Sequence, residues 1–196
     1  MTNLAKTILL SFRSPRQAAA AIFARQLPLA TSWMALTLTA VLVVLVIELA
    51  FRFAPPPDPV DPASVEAMLM ALTSTPLRFA GLELASLAAF GLAIHLFGRW
   101  AGGRGSLANA LLLVAWFQVI LLVVVLALTA LGLILPPAAG LLALALPVLV
   151  GWMLTQFVME LHGFTSAWRV LFGILGGYVA VVIALSLVLA AVGFGG

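Results

Sequence analysis

The sequence predicts an all-α polytopic membrane protein, a five-transmembrane-helix bundle preceded by an N-terminal amphipathic arm. Three observations carry that prediction. From Gly105 to Met159 the chain holds no Asp, Glu, Lys, Arg or His, and its only strong break there is Pro136-Pro137. At ~1.5 Å per helical residue this run is more than twice the ~30 Å hydrocarbon core of a bilayer, so it crosses, turns at the prolines and crosses back. The composition, 65% hydrophobic and 8% charged with a mean hydropathy of +1.27, cannot be arranged as a soluble sphere under a polar skin. Finally, hydropathy resolves five segments of spanning length, at about 31–51, 79–98, 107–135, 138–159 and 170–193. Residues 1–30 are assigned to the arm and residues 31–196 to one five-span membrane domain.

The arm is not a cleaved signal peptide, because the apolar segment after it is too long and no small-x-small cleavage site follows. Ser14-Pro15-Arg16-Gln17 reads as a helix start, with Ser14 as cap, Pro15 at the first helical position and Gln17 closing a capping box. The helix continues through Ala18–Phe23 toward Pro28 and is expected to lie in the membrane interface. In span one, Glu48 sits near the end distal to the arm, four residues before Arg52, a spacing that allows mutual neutralisation on one helix face. The Pro55–Pro62 stretch is a stiff spacer. Beyond it Asp61 and Pro62 can open a second interfacial helix, with Val65, Met68, Leu69 and Leu72 on one apolar face.

Span two carries Glu83 at a depth matching Glu48, and His95 near its other end; Arg78 precedes it. Two facing carboxylates would share a proton or a cation. Gly102-Gly103-Arg104-Gly105-Ser106 supplies the tight turn into span three, glycines tolerating positive φ and Ser106 able to cap the next helix. Gln118 on span three and Gln156 on span four, with Asn109, are uncharged polar groups suited to bonding across helices. Pro147 is expected to kink or loosen span four. Glu160 and His162 close span four, where a His95 to Glu160 relay is conceivable, and Arg169 opens span five. Gly173 and Gly177 form a Gly-x-x-x-Gly pair for close helix packing.

Basic residues choose the orientation. Lys6, Arg13, Arg16, Arg25, Arg99, Arg104 and Arg169 fall on one side, whereas only Arg52 and Arg78, with Asp58, Asp61 and Glu66, fall on the other. The positive-inside rule then predicts a cytoplasmic N-terminus and an external C-terminus, with Trp33, Trp100 and Trp168 at the cytoplasmic headgroups.

Several classes are set aside. Nine basic residues without a basic stripe do not follow nucleic-acid phosphates. The chain has no cysteine, and its two histidines stand without an i, i+4 partner, so no metal site is expected. No serine-hydrolase elbow, zinc-protease helix or phosphate-binding Gly-Lys loop is present. Neither catalysis nor a cofactor is expected.

Phe97-Gly98-Arg99-Trp100-Ala101-Gly102-Gly103-Arg104-Gly105-Ser106-Leu107, followed by Asn109-Ala110 and the span containing Trp116, resembles the second loop of bacterial members of the Ypt-interacting protein (Yip) family. Met159-Glu160-Leu161-His162-Gly163-Phe164-Thr165 resembles that family's acidic-x-His-Gly turn between spans four and five, and Ser14-Pro15-Arg16 its start. The resemblance implies an arm followed by five spans, in a family whose eukaryotic members associate with small GTPases and with each other. The Asp-Leu-Tyr-Gly-Pro motif of the eukaryotic branch is missing, so association with small GTPases does not follow from it.

The expected function is that of an integral membrane scaffold or adaptor acting through protein or lipid contacts on its cytoplasmic face. Arg99, Gly102, Gly103, Arg104, Gly105, Ser106, Glu160, His162, Gly163 and Arg169 are the candidate contact residues. The alternatives are a small transporter or ion-conducting module using Glu48, Glu83 and His95, and an accessory subunit of a larger membrane complex. The expected partners are the lipid bilayer and a membrane or cytoplasmic protein, in an oligomeric state that the sequence leaves open. An alanine-, leucine- and arginine-biased composition points to a bacterium of high genomic G+C, and so to its inner membrane.

Overall fold

The computed structural model describes residues 4–53 and 75–191, and among them contains seven helices and no strand. Helix α1 spans Leu4–Arg13, α2 Pro15–Phe23, α3 Leu29–Phe53, α4 Pro76–Trp100, α5 Leu107–Ile134, α6 Pro136–His162 and α7 Ala167–Ala191. Four of them are long and apolar enough to cross a membrane: α3 through Leu29–Ala50, then α4, α5 and α6 over their full lengths. Helix α7 adds an apolar Ala167–Gly177 segment and continues to Ala191. Twenty-five helical residues, as in α4, reach about 37 Å, enough for the hydrocarbon core with some tilt. The chain is therefore an all-α polytopic membrane protein. The helix expected after Asp61 lies outside the described residues, as does the side chain of Arg52 expected to neutralise Glu48.

The helix boundaries follow local chemistry. Helix α4 stops because Gly102 turns left-handed at φ 86°, after which Gly103 N–H donates to Gly98 O at 2.8 Å and Gly102 N–H to Arg99 O at 3.0 Å. Helix α6 stops likewise at Gly163, with φ 74°, and Phe164 N–H reaches back to Met159 O at 2.9 Å. Both ends satisfy carbonyls that would otherwise lack donors. Between α5 and α6 only Leu135 intervenes, since Pro136 and Pro137 start a helix well but cannot continue one. Helix α6 continues past Pro147, the position at which the sequence predicts a kink or loosening within the helix.

The arm departs from its expected start. Ser14 makes no side-chain capping bond, because the chain arrives already helical: α1 precedes it, and Ser14 N–H donates to Leu10 O at 2.7 Å. Pro15 then interrupts the ladder and splits the arm into two helices that pack together. On α1 the polarity is inverted relative to a water-soluble helix. Thr7 and Ser11 are buried, Ser11 bonding Thr7 O at 3.0 Å, while Leu4 and Leu9 stand 61% and 50% exposed. Such a helix is at ease only where lipid covers its outer face.

The described residues fall into two compact units. One draws on Met1–Gln26, Ala93–Ser106 and Ala127–Gly196, the other on Leu27–Leu92 and Leu107–Leu126. In the second unit Leu36, Ala40 and Val44 recur along one face of α3, and α5 is buried continuously from Ala110 to Ala115. There α4 meets α5 closely at Gly91, where a Cβ would come within 2.8 Å of the Leu111 side chain. In the first unit the small residues Ala18 and Ala19 are buried, and α2 packs on α6.

Candidate functional site

The first unit brings two loops together around one imidazole. His162, the last residue of α6, is only 2% exposed. A Cβ placed on Gly98, Gly103 or Gly105 would overlap its side chain, so three glycines from the end of α4 and the loop after it form the cradle for this ring. Gly105 N–H donates to His162 Nδ1 at 3.3 Å, and His162 Nε2 lies 3.2 Å from Ile94 O. A backbone N–H can only donate and a carbonyl only accept, so this geometry assigns a neutral ring with its hydrogen on Nε2. The main chain adds Arg104 N–H to His162 O at 3.2 Å, and Phe164 stacks on the ring with centroids 5.4 Å apart.

His95 completes the lock from the α4 side. Its Nδ1 donates to Gly105 O at 3.1 Å, so Gly105 is held through its N–H by one histidine and through its C=O by the other. The relay considered between His95 and Glu160 is not formed. Glu160 instead receives Arg16 Nε from the arm at 2.8 Å. That pair is part-exposed, with side chains 47% and 28% accessible. Around the locked turn, Arg99, Gly102, Arg104, Ser106, Gly163 and Arg169 are exposed.

The remaining candidates are dispersed. In the second unit the amide of Gln118 on α5 donates to Glu83 on α4 at 3.1 Å, so this carboxylate has an uncharged partner. Glu48 is half-buried on α3. Gln156, half-buried on α6, lines a groove of the first unit together with Arg13, Arg16, Trp152 and Glu160. A Cβ on Gly173 would meet nothing within 4 Å, and one on Gly177 would touch only the ring of Phe97 at 3.6 Å. Among the described residues no cluster of His, Asp and Glu has the makings of a metal site.

Sequence reasoning missed Gly98, Arg13 and Trp152. The spacing of Gly98, Gly103 and Gly105 opposite a buried histidine was a usable signal only once the ring's destination was known. Nothing in sequence distance connects Arg13 with Trp152.

Compared with known proteins, the chain matches the family model of the Yip1 domain over residues 9–194. Neither curated proteins nor solved structures yield a match.

Proposed function

Because the chain belongs to the Yip1-domain family, a family of membrane proteins, we propose that it is a non-enzymatic scaffold whose joined α4–α5 and α6–α7 loops dock a partner at the cytoplasmic surface. The carrying observation is the burial of His162 in the Gly98, Gly103 and Gly105 cradle. A neutral ring enclosed by backbone is a fastener rather than a reactive group. What it fastens is a rigid turn pair with Arg99, Arg104 and Arg169 exposed around it. A preorganised loop surface loses less entropy on binding than two independent loops would. The arm of residues 1–30 belongs to the same face, and the seven basic residues counted above support a cytoplasmic side for it, as the alanine-, leucine- and arginine-biased composition supports a bacterial inner membrane.

The test is recovery of partners in mild detergent from cells expressing the full chain. Combined Arg99→Glu, Arg104→Glu and Arg169→Glu substitutions should abolish recovery of any protein retained by the wild type, while the melting temperature in detergent stays within a few degrees. Undiminished recovery with all three charges reversed would rule out the loop face as the docking surface.

A further inference from the structure

A groove of about 580 Å³ in the first unit is lined by Arg13, Ser14 and Arg16 from the arm and by Trp152, Gln156 and Glu160 from α6. Its chemistry is graded. The i, i+4 row of α6 that holds the lining residues Glu160, Gln156 and Trp152 continues beyond the groove into Val148 and Leu144, turning about 40° around the helix at each step. Leu144 and Val148 are 77% and 75% exposed, a cost in water and none in lipid. Trp152 follows, then an amide, then the Arg16–Glu160 pair.

Charge settles the polar end. Glu160 is the one carboxylate lining the groove, and it is already matched by Arg16 at 2.8 Å. The exposed guanidinium of Arg13 therefore leaves the groove with a net positive charge. Sixteen residues separate Leu144 from Glu160, about 24 Å of helix at ~1.5 Å per residue. That is close to the roughly 20–22 Å depth of one leaflet with its headgroups. Leu4 and Leu9 of α1 are likewise exposed, as suits an arm lying against lipid.

We propose that this groove binds one anionic phospholipid, its phosphate at Arg13 and Arg16, its ester region beside Trp152 and Gln156, and an acyl chain along Val148 and Leu144. A soluble phosphate would leave the apolar end of the row unused. An acidic peptide would have no need of lipid-exposed leucine and valine. Trp and Gln side chains supply N–H donors suited to ester carbonyls, and arginine supplies the planar fork that suits phosphate oxygens. The assignment rests on the functional reading above only for the side of the membrane.

The experiment uses the full chain in phosphatidylcholine nanodiscs carrying a fixed fraction of lipid brominated near the glycerol end of its acyl chain. Bromine quenches tryptophan on contact, and the difference between wild type and Trp152→Phe isolates the signal of Trp152. Brominated phosphatidylglycerol should quench that signal at about fivefold lower mole fraction than brominated phosphatidylcholine, the preference expected for one basic residue beside an anionic headgroup. Arg13→Gln should remove the preference, and Arg13→Lys should keep most of it. Equal quenching of the Trp152 signal by the two lipids overturns the proposal, as does equal quenching of the total tryptophan fluorescence of the wild type, which needs no variant. So does loss of the preference on adding millimolar glycerol phosphate, which would mark a soluble-anion site, or an acidic peptide. Reversing Arg99, Arg104 and Arg169 should leave the lipid preference intact, so failure here and failure of the loop docking surface are read separately.

Discussion

The cost of replacing a glycine in this protein depends on what stands opposite it. Gly98→Ala drives a methyl into the ring of His162, whereas Gly102→Ala meets open space and has only its left-handed backbone to reconcile. The first should cost about 1–3 kcal/mol by overpacking and the second about 1 kcal/mol. Thermal or denaturant unfolding in one mild detergent would show the order, and a larger loss at Gly102 would contradict the cradle. His162→Phe keeps a planar ring but leaves Gly105 N–H without its acceptor, for an expected loss of about 1–3 kcal/mol. Ser32→Ala should run the other way. Its hydroxyl is buried without a partner among the described residues, so removal should be neutral or stabilising by up to about 1 kcal/mol. These residue roles were only half legible in sequence. Gly102 announces a turn by its neighbours, but the place of His162 depends on two loops 57 residues apart meeting.

At the scale of elements, the spans were legible because charge is excluded from them, and that signal is local. The arm was less so. Ser14 and Pro15 carry the composition of a helix start, yet a preceding helix removes the free cap, and only the structure reveals α1. Likewise Glu160, considered beside His95 in the sequence, pairs with Arg16 of the arm. The arm is seated by burial more than by that ion pair. Glu160→Gln should cost only about 0.3–1 kcal/mol, as exposed pairs do, whereas Ala19→Leu inserts bulk into a position 1% exposed and should cost about 1–3 kcal/mol. Limited trypsinolysis at Arg25 reads both. Cleavage should rise slightly in the first variant and sharply in the second, and the reverse order would make the ion pair the principal anchor.

For the whole molecule, orientation is the property most open to a single measurement. A reporter active only in the cytoplasm should give signal when fused to the N-terminus and none when fused after Gly196. Equal signal at both ends would mean an even number of crossings. The two-unit partition was not legible at all, because it cuts across helices: α4 and α5 each contribute residues to both units. Hydropathy ranks segments along the chain and carries no information on which portion of a helix packs with which neighbour.

The pairing of Arg16 with Glu160 spans 144 positions, and this separation sets an order of events during synthesis. The arm leaves the ribosome first, but its seat on α6 does not exist until that late helix has been made and inserted. Until then the cradle of Gly98, Gly103 and Gly105 is also waiting for His162. The arm and the α4–α5 loop are thus secured by one later stretch, 159–164, so a nascent chain halted before it would carry an unfastened arm and an open loop together. Quality-control proteases would meet both at once, and release of the finished chain would close both at once.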